Sequence, residues 1–179
     1  SVNNLIDSQC KFFALNEQSR VLQYAQIVFD ASVSELFTAL LSGAALIIIE
    51  DARRLDPDLL MAFIREQHIS VATLPPTLLK EMVHQALPSL KTLIVAGEVC
   101  DLDVMVQWSV GRRLINAYGP TEATVCALMY EYQQGDLNTI IGKPLPNISI
   151  YILDKNLRPV PVGLVGELYI GGICLATGY

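Results

Sequence analysis

The sequence carries little charge, and no block of one sign. Only 17% of its 179 residues are Asp, Glu, Lys or Arg, the formal net charge is -6, and Lys and Arg are nowhere clustered. A surface that binds nucleic acid needs concentrated positive charge, so we expect no nucleic-acid partner. The 52% content of hydrophobic residues predicts instead a globular chain with a substantial core.

Paired cysteines and long apolar segments are also lacking. Cys10, Cys100, Cys126 and Cys174 are scattered and have no metal-ligand spacing. This favours reduced thiols in a cytoplasmic protein over a disulfide framework or a zinc site. The most apolar run, 39–49, is interrupted by Ser-Gly and is too short to span a bilayer, and the polar N-terminus shows no signal peptide. We therefore expect a cytoplasmic protein with no membrane partner.

Strand patterns alternate with amphipathic helix patterns up to residue 117. Strands are predicted at 20–25, 44–49, 70–74, 90–96 and 112–117, and helices at 2–15, 30–41, from 56 onward, at 77–87 and at 101–108. The alternation indicates βαβ units, and so an α/β fold of Rossmann or flavodoxin type with a mainly parallel sheet flanked by helices on both faces. The continuous apolar run 44–49 is typical of a strand covered on both faces.

The pattern changes after residue 122. Alternating or β-branched segments at 127–132, 148–153 and 167–170 are separated by turn signals. We predict an α/β subdomain at 1–132 and a β-rich segment at 133–179 that begins a second subdomain, with the boundary near 133–142.

The expected strand ends share one rim of the sheet, where ligands of such folds bind. They are Asp30 (if 26–29 is strand), Thr73, Ala96 and Ala117. An aspartate in apolar surroundings either caps the helix that follows or meets a cationic ligand. Small and apolar neighbours would line a cavity closed by this acid: Thr73, Ile94, Ala96, Ala117, Val125 and Cys126. Such a cavity suits an amino acid with an ammonium group and a large hydrophobic side chain.

Ligand chemistry is concentrated in residues 116–122, Asn-Ala-Tyr-Gly-Pro-Thr-Glu. Gly119 and Pro120 make a tight turn, and Tyr118 offers a flat face to a heterocycle. Thr121 can cap the next turn and meet an anion, while Glu122 offers oxygens to a hard cation such as magnesium. From these residues alone, a ligand site and an ordinary capped connection are equally compatible.

Three segments together resemble a known family. Residues 29–32 (Phe-Asp-Ala-Ser), 116–122 and 166–172 (Gly-Glu-Leu-Tyr-Ile-Gly-Gly) resemble, in order, three core motifs of the adenylation domains of nonribosomal peptide synthetases. The members that activate phenylalanine or tyrosine look most similar. The resemblance implies a ligase reaction in which an amino acid carboxylate attacks the α-phosphate of ATP, giving an aminoacyl-adenylate and pyrophosphate. The adenylate is then captured by the phosphopantetheine thiol of a carrier domain, so the carrier and other synthetase domains are implied partners.

The resemblance also implies residue roles. Asp30 would hold the α-ammonium, Tyr118 would stack on adenine, Thr121 would meet the α-phosphate and Glu122 would bind Mg²⁺. The other implied nucleotide positions are Gly97, Glu98, Asn116, Ala117 and Gly119. The implied side-chain-selecting positions are Asp30, Ala31, Ser34, Thr73, Ile94, Ala96, Ala117, Val125 and Cys126.

Ser34 stands where the phenylalanine-activating members carry a bulky Trp. This implies an amino acid of tyrosine size or larger, with phenylalanine as the competing substrate. The family's phosphate loop, ribose-binding aspartate and C-terminal lysine are not found between Ser1 and Tyr179. We therefore expect a segment of a longer protein, inactive or very weakly active when isolated.

Two alternatives remain at this stage. An acyl-CoA or aryl-acid ligase would share the fold and the chemistry of residues 118–122, but a substrate without an amino group gives no reason to bury Asp30. A non-catalytic nucleotide-binding α/β module would account for the missing phosphate loop. His68 and His84, beside predicted helices, are expected at the surface rather than as ligands.

Overall fold

The computed structural model describes residues 1–83 and 86–178. The helices are α1 (Val2–Phe12), α2 (Ala31–Leu41), α3 (Asp51–Arg54), α4 (Pro57–Glu66), α5 (Pro76–Glu81) and α6 (Leu102–Trp108). The strands are β1 (Arg20–Gln23), β2 (Ala45–Ile48), β3 (Val71–Leu74), β4 (Thr92–Ala96), β5 (Arg113–Tyr118), β6 (Leu128–Glu131), β7 (Lys143–Pro144), β8 (Ile148–Leu153) and β9 (Glu167–Gly172). A short 3-10 turn lies at Thr121–Ala123.

Seven strands form one sheet in the order β2-β1-β3-β4-β5-β6-β7. β1 to β5 pair in parallel, and β6 and β7 extend the sheet in antiparallel fashion. This confirms the predicted α/β class with a mostly parallel sheet. β8 and β9 form a separate antiparallel pair. β7 still belongs to the large sheet although it follows 133–142, and the proposed division at that point stays a prediction.

Two hydrophobic cores lie on the two faces of the sheet, because successive strand residues point to opposite sides. One core contains Leu22, Leu74 and Leu93 together with side chains of α4 and α6. The other contains Val71 and Ile94 together with side chains of α1 and α2. Helices therefore cover both faces, and the α1/α2 face carries the predicted rim residues.

Local chemistry explains where helices begin. Pro57 occupies the first turn of α4. Proline is tolerated there because the backbone N–H that it lacks would have no acceptor within the helix. The carboxylate of Asp56 accepts the N–H groups of Asp58 and Leu59 at 2.9 and 3.0 Å, which caps the helix. No described helix has the length and apolar character to cross a membrane.

Several expectations about individual elements were wrong. β2 is not covered on both faces, because Ala45 and Ile48, which point to opposite faces, are exposed; β2 is also the outermost strand of the described sheet. Residues 26–29 form a turn, because β1 already ends at Gln23. α5 ends at Glu81 instead of continuing to 87; residues 84 and 85, with the expectation for His84, lie outside the described residues. His68 is exposed at the end of α4, as expected.

Candidate functional site

A cavity of about 550 Å³ opens at the carboxyl ends of β3, β4 and β5, beside the start of α2. Six of the nine predicted side-chain-selecting residues line it: Asp30, Ala31, Thr73, Ala96, Ala117 and Val125. Ser34, Ile94 and Cys126 are buried and do not line it. The parallel topology thus brings together residues that are distant in sequence at one rim.

Asp30 and Thr121 meet at the mouth of this cavity. The hydroxyl of Thr121 donates a hydrogen bond to a carboxylate oxygen of Asp30 at 2.6 Å, across 91 positions of sequence. Asp30 directly precedes α2, but its side chain makes no capping hydrogen bond, so the capping alternative is not supported. Its surroundings also differ from the expected apolar ones, since the residue is only partly buried and Phe29 is exposed.

Within residues 116–122, some side chains are buried and stabilise the fold, while others are exposed to solvent. The buried Asn116 amide donates to the carbonyl of Ile140 at 3.0 Å, which ties β5 to the segment before β7. Tyr118 is exposed at the end of β5, and Glu122 is exposed in the 3-10 turn. Thr121 does not cap that turn, contrary to one expectation, because its hydroxyl is bonded to Asp30. Aromatic, hydroxyl and carboxylate groups are therefore gathered at the rim.

Gly97 and Glu98 follow β4 and also line the cavity. Gly97 has φ +87°, a conformation that L side chains rarely adopt. The carboxylate of Glu98 accepts the backbone N–H of Thr77 at 2.8 Å and so fixes the end of β4 to the start of α5. This hydrogen bond links the loop after β4 to the helix that follows β3.

A family model described as AMP-binding enzyme matches residues 1–179. The chain belongs to the AMP-binding enzyme family. Membership in an enzyme family favours the ligase interpretations over a non-catalytic module.

Two curated relatives of this AMP-binding chain are synthases. It is 43% identical, over 178 residues, to bacitracin synthase 3 of Bacillus licheniformis, with 99% of the chain and 3% of that protein covered. It is 40% identical, over 170 residues, to tyrocidine synthase 1 of Brevibacillus parabrevis, with 93% of the chain and 16% of that protein covered. The chain therefore spans a small part of these curated relatives.

Solved structures share the fold across nearly the whole chain. The Vibrio cholerae adenylation domain AlmE, in complex with glycyl-adenosine-5'-phosphate, has a TM-score of 0.89 at 29% identity over 99% of this chain and 36% of its own. The AMPPNP-bound form of the nonribosomal peptide synthetase FmoA3 has a TM-score of 0.91 at 30% identity over 99% of this chain and 21% of its own. The mostly parallel sheet flanked by helices is thus the architecture of adenylation domains.

Sequence reasoning missed Glu35, a buried carboxylate that lines the cavity. Glu35 is 2% exposed, lies on α2 and accepts the backbone N–H groups of Tyr24 and Ala25 at 3.1 and 3.0 Å. These bonds hold the loop that connects β1 to Asp30. Burial raises the pKa of Glu35 to about 8, although the hydrogen bonds from Ala25 and Tyr24 partly offset it. The pattern of the helix gave no signal of it, because Phe37, Leu40 and Leu41 of the apolar stripe are exposed, whereas Glu35 lies on the opposite, buried face.

The raised pKa of Glu35 predicts a pH-dependent stability. Between the ordinary carboxyl pKa of 4.5 and about 8, the folded AMP-binding chain binds a proton that the unfolded chain releases. The free energy of unfolding should therefore fall as pH rises through this window. Glu35→Gln should flatten that dependence, measured by urea unfolding at pH 5 and pH 8.

The exposed Glu17 provides the control, because Glu17→Gln removes a surface carboxylate and should leave the pH slope as in the wild type. An unchanged slope in Glu35→Gln, with a folded variant, would contradict this account of Glu35.

A magnesium site is compatible with the rim but is not built from protein ligands alone. Within 1–83 and 86–178, no three His, Cys, Asp or Glu side chains are close enough to hold an ion. Mg²⁺ commonly keeps several waters and is bound by one or two carboxylates plus substrate phosphates. The exposed carboxylate of Glu122, next to Thr121, fits that requirement.

Proposed function

We propose that this AMP-binding chain recognises the amino acid and ATP in an adenylation domain of a nonribosomal peptide synthetase. The amino acid carboxylate attacks the α-phosphate of ATP, an aminoacyl-adenylate forms and pyrophosphate leaves. The phosphopantetheine thiol of a carrier domain then takes the aminoacyl group.

The hydrogen bond between Thr121 and Asp30 is the observation that carries this proposal. An amino acid bears its ammonium one carbon away from the carboxylate that attacks phosphorus. A group that holds the ammonium and a group that holds the α-phosphate must therefore be neighbours. Asp30 and Thr121 have the chemistry for those two tasks, and they are in contact at the cavity mouth.

The chain's residues act in this proposal by positioning and by charge neutralisation. The carboxylate of Asp30 accepts the α-ammonium, and the Thr121 hydroxyl, released from Asp30, donates to the α-phosphate. The exposed ring of Tyr118 stacks on adenine beside Gly97 and Glu98. A magnesium ion bound by Glu122 and the phosphates would supply neutralisation of their negative charge.

The proposed substrate is a large aromatic amino acid, tyrosine or phenylalanine. The cavity volume of about 550 Å³ lies within the range of small-molecule sites. Ala31, Thr73, Ala96, Ala117 and Val125 contribute small and apolar side chains to its walls, which also include the charged Glu35, Arg54 and Glu98. A cytoplasmic location belongs to the same proposal, and the four cysteines are free in the structure.

Exchange of labelled pyrophosphate into ATP, measured on the intact protein against all amino acids, tests the proposal. We expect tyrosine or phenylalanine to give the highest exchange. A clear preference for leucine or a charged residue would overturn the aromatic assignment. Activation of a carboxylic acid that lacks an amino group, without amino acid activation, would favour an acyl-CoA or aryl-acid ligase instead.

Ser34 is buried and does not line the cavity, so only a larger side chain at this position could extend into it. Ser34→Trp should fill the inner end of the cavity and shift the preference from tyrosine towards phenylalanine. The para hydroxyl makes the tyrosine side chain longer than that of phenylalanine, so tyrosine meets the added indole first. The kcat/KM for tyrosine should therefore fall more than that for phenylalanine. The comparison is Phe37→Trp, which adds an indole at an exposed position of the same helix and should leave the ratio unchanged. A Ser34→Trp enzyme with the wild-type ratio would refute the assignment of Ser34 to the pocket.

A further inference from the structure

We propose that Thr124 is a positioning residue, which fixes the turn carrying Thr121 and Glu122 through a hydrogen bond to the segment that follows β9. The inference rests on the proposed function and adds to it a contribution from residues 174–176. These residues follow the β8–β9 pair, which is separate from the large sheet that carries the cavity.

Thr124 and Val125 have a backbone conformation that β-branched residues rarely adopt. Their φ angles are +56° and +65°, in the left-handed region. Such a conformation is unfavourable and persists only where the surrounding structure imposes it. The strain lies at the site itself, because Val125 lines the cavity and Thr124 ends the 3-10 turn that begins with Thr121 and Glu122.

Two hydrogen bonds from residues 174–176 impose this conformation. The Thr124 hydroxyl donates to the backbone carbonyl of Cys174, 50 positions further along the chain. The Ala176 N–H donates to the carbonyl of Glu122 at 2.8 Å. We call these two bonds the clamp. They hold the turn at two points, one on each side of its last residue.

Burial anchors both sides of the clamp. Cys174 is 3% exposed and shares a hydrophobic core with Ala123 and Cys126, which are 1% and 3% exposed. The base of the loop is closed as well, since the Ala127 N–H donates to the Tyr118 carbonyl. The loop is thus fixed at its base and along its side, while the two side chains that begin the turn are exposed.

The backbone at Thr124 decides where these exposed groups lie. Relaxation of Thr124 and Val125 to negative φ would redirect the chain and displace Glu122 relative to Asp30, which belongs to another element. A misplacement of about 1 Å can slow a reaction that depends on positioning by about 100-fold. Most walls of the cavity come from the ends of β3, β4 and β5 and the start of α2. Loss of one clamp bond should therefore affect the step at the α-phosphate more than amino acid binding.

Thr124→Val tests this role, because valine removes the hydroxyl but keeps the branched Cβ and hence the strain. In pyrophosphate exchange by the intact protein, kcat should fall by about tenfold while KM for the amino acid changes little. Thr124→Ser keeps the hydroxyl and should restore most of kcat.

Thr38→Val is the matched control for the loss of a buried threonine hydroxyl. The Thr38 hydroxyl donates to the carbonyl of Ser34 at 2.6 Å, within α2 and away from the clamp. Thr38→Val should lower stability in the way that Thr124→Val does, but it should keep the wild-type kcat.

A second pair of variants tests the hydrogen bond even if Thr124→Val fails to fold. Asparagine and aspartate are similar in shape, and both tolerate the left-handed region. Only the asparagine side chain can donate to the Cys174 carbonyl, since an ionised carboxylate only accepts. Thr124→Asn should therefore be clearly more active than Thr124→Asp.

Hydrogen exchange measures the clamp without any measurement of activity. The Ala176 amide, which donates to the Glu122 carbonyl, should exchange faster in Thr124→Val than in the wild type or in Thr38→Val. Mass spectrometry of peptides that cover residues 174–178 of the intact protein provides this comparison.

The outcomes distinguish this inference from the proposed function. A folded Thr124→Val with the wild-type kcat, a loss that Thr124→Ser shares in full, or equal activity of the Asn and Asp variants would overturn the role of Thr124 and leave the adenylation proposal standing. Unchanged hydrogen exchange in Thr124→Val would overturn the clamp alone. Absence of any amino-acid-dependent pyrophosphate exchange by the intact wild type would overturn the proposed function.

Discussion

Asp30→Ala should lower kcat/KM for the amino acid by at least about 100-fold, with little change in the stability of the fold. The loss follows from leaving a desolvated substrate ammonium without its counter-charge, which commonly costs several kcal/mol. The fold should tolerate the change because the Asp30 side chain makes no capping bond to α2 and its hydrogen bond is with Thr121, at the exposed rim. Pyrophosphate exchange by the intact protein at varied amino acid concentration measures the effect.

A substrate analogue without an ammonium tests whether the activity loss in Asp30→Ala comes from the lost contact with the ammonium. The 2-hydroxy acid that matches the preferred amino acid has no ammonium, so the wild type should discriminate strongly against it. Asp30→Ala should lose most of that discrimination. Asp103→Ala is the control, since Asp103 is an exposed aspartate in the first turn of α6 and should leave both substrates unaffected. If Asp30→Ala kept full amino acid activity, Asp30 would not be the ammonium ligand.

Gly119→Ala should destabilise the chain by about 3 kcal/mol and reduce activity by roughly 100-fold. A Cβ at Gly119 would lie 2.6 Å from the backbone N of Ala127 and 2.7 Å from the Cα of Cys126. Backbone atoms cannot yield as the end of a flexible side chain can, so the start of β6 must move away from β5. That movement lengthens the hydrogen bond from the Ala127 N–H to the Tyr118 carbonyl, in which N and O are now 2.8 Å apart. It also displaces the proposed adenine and phosphate contacts.

Denaturant unfolding measures the loss of stability, and pyrophosphate exchange measures the loss of activity. Gly178→Ala is the matched control, because a Cβ there would meet open space and the residue does not have positive φ. A Gly119→Ala variant as stable as Gly178→Ala would mean that β5 and β6 do not approach as closely as the structure has them.

Most secondary structure could be predicted because its signals are local. The helix predicted at 30–41 and the runs at 70–74, 90–96 and 112–117 correspond to α2, β3, β4 and β5 within a few residues. The apolar stripe did not predict the buried face of α2, since Phe37, Leu40 and Leu41 are exposed. The errors arose where a neighbour in space overrides the local pattern. The 44–49 run is typical of a strand covered on both faces, but Ala45 and Ile48 of β2 are exposed. Strand order, which no local pattern encodes, makes β2 outermost among the described strands.

The candidate site could be predicted as a set of residues but not as an arrangement. Asp30, Thr73, Ala96 and Ala117 were expected at one rim from the general rule for parallel sheets, and they do line one cavity. Their hydrogen bonds were not foreseen. Thr121 bonds to Asp30 instead of capping its own turn, because a partner 91 positions away offers a charged acceptor. Glu35 was overlooked for the same reason, since its partners Tyr24 and Ala25 precede it on a separate loop.

The sequence by itself determined the class of fold, the order of its elements and the chemical groups available at the rim. Periodicity, turn residues and motif spacing encode these, and all are properties of neighbouring positions. Only the tertiary structure decided which groups meet: Asp30 with Thr121, Glu35 with the loop before Asp30, and Ser34 with Gln9. The physical reason is that a side chain's hydrogen bonds, burial and pKa depend on atoms brought near by packing of the whole chain.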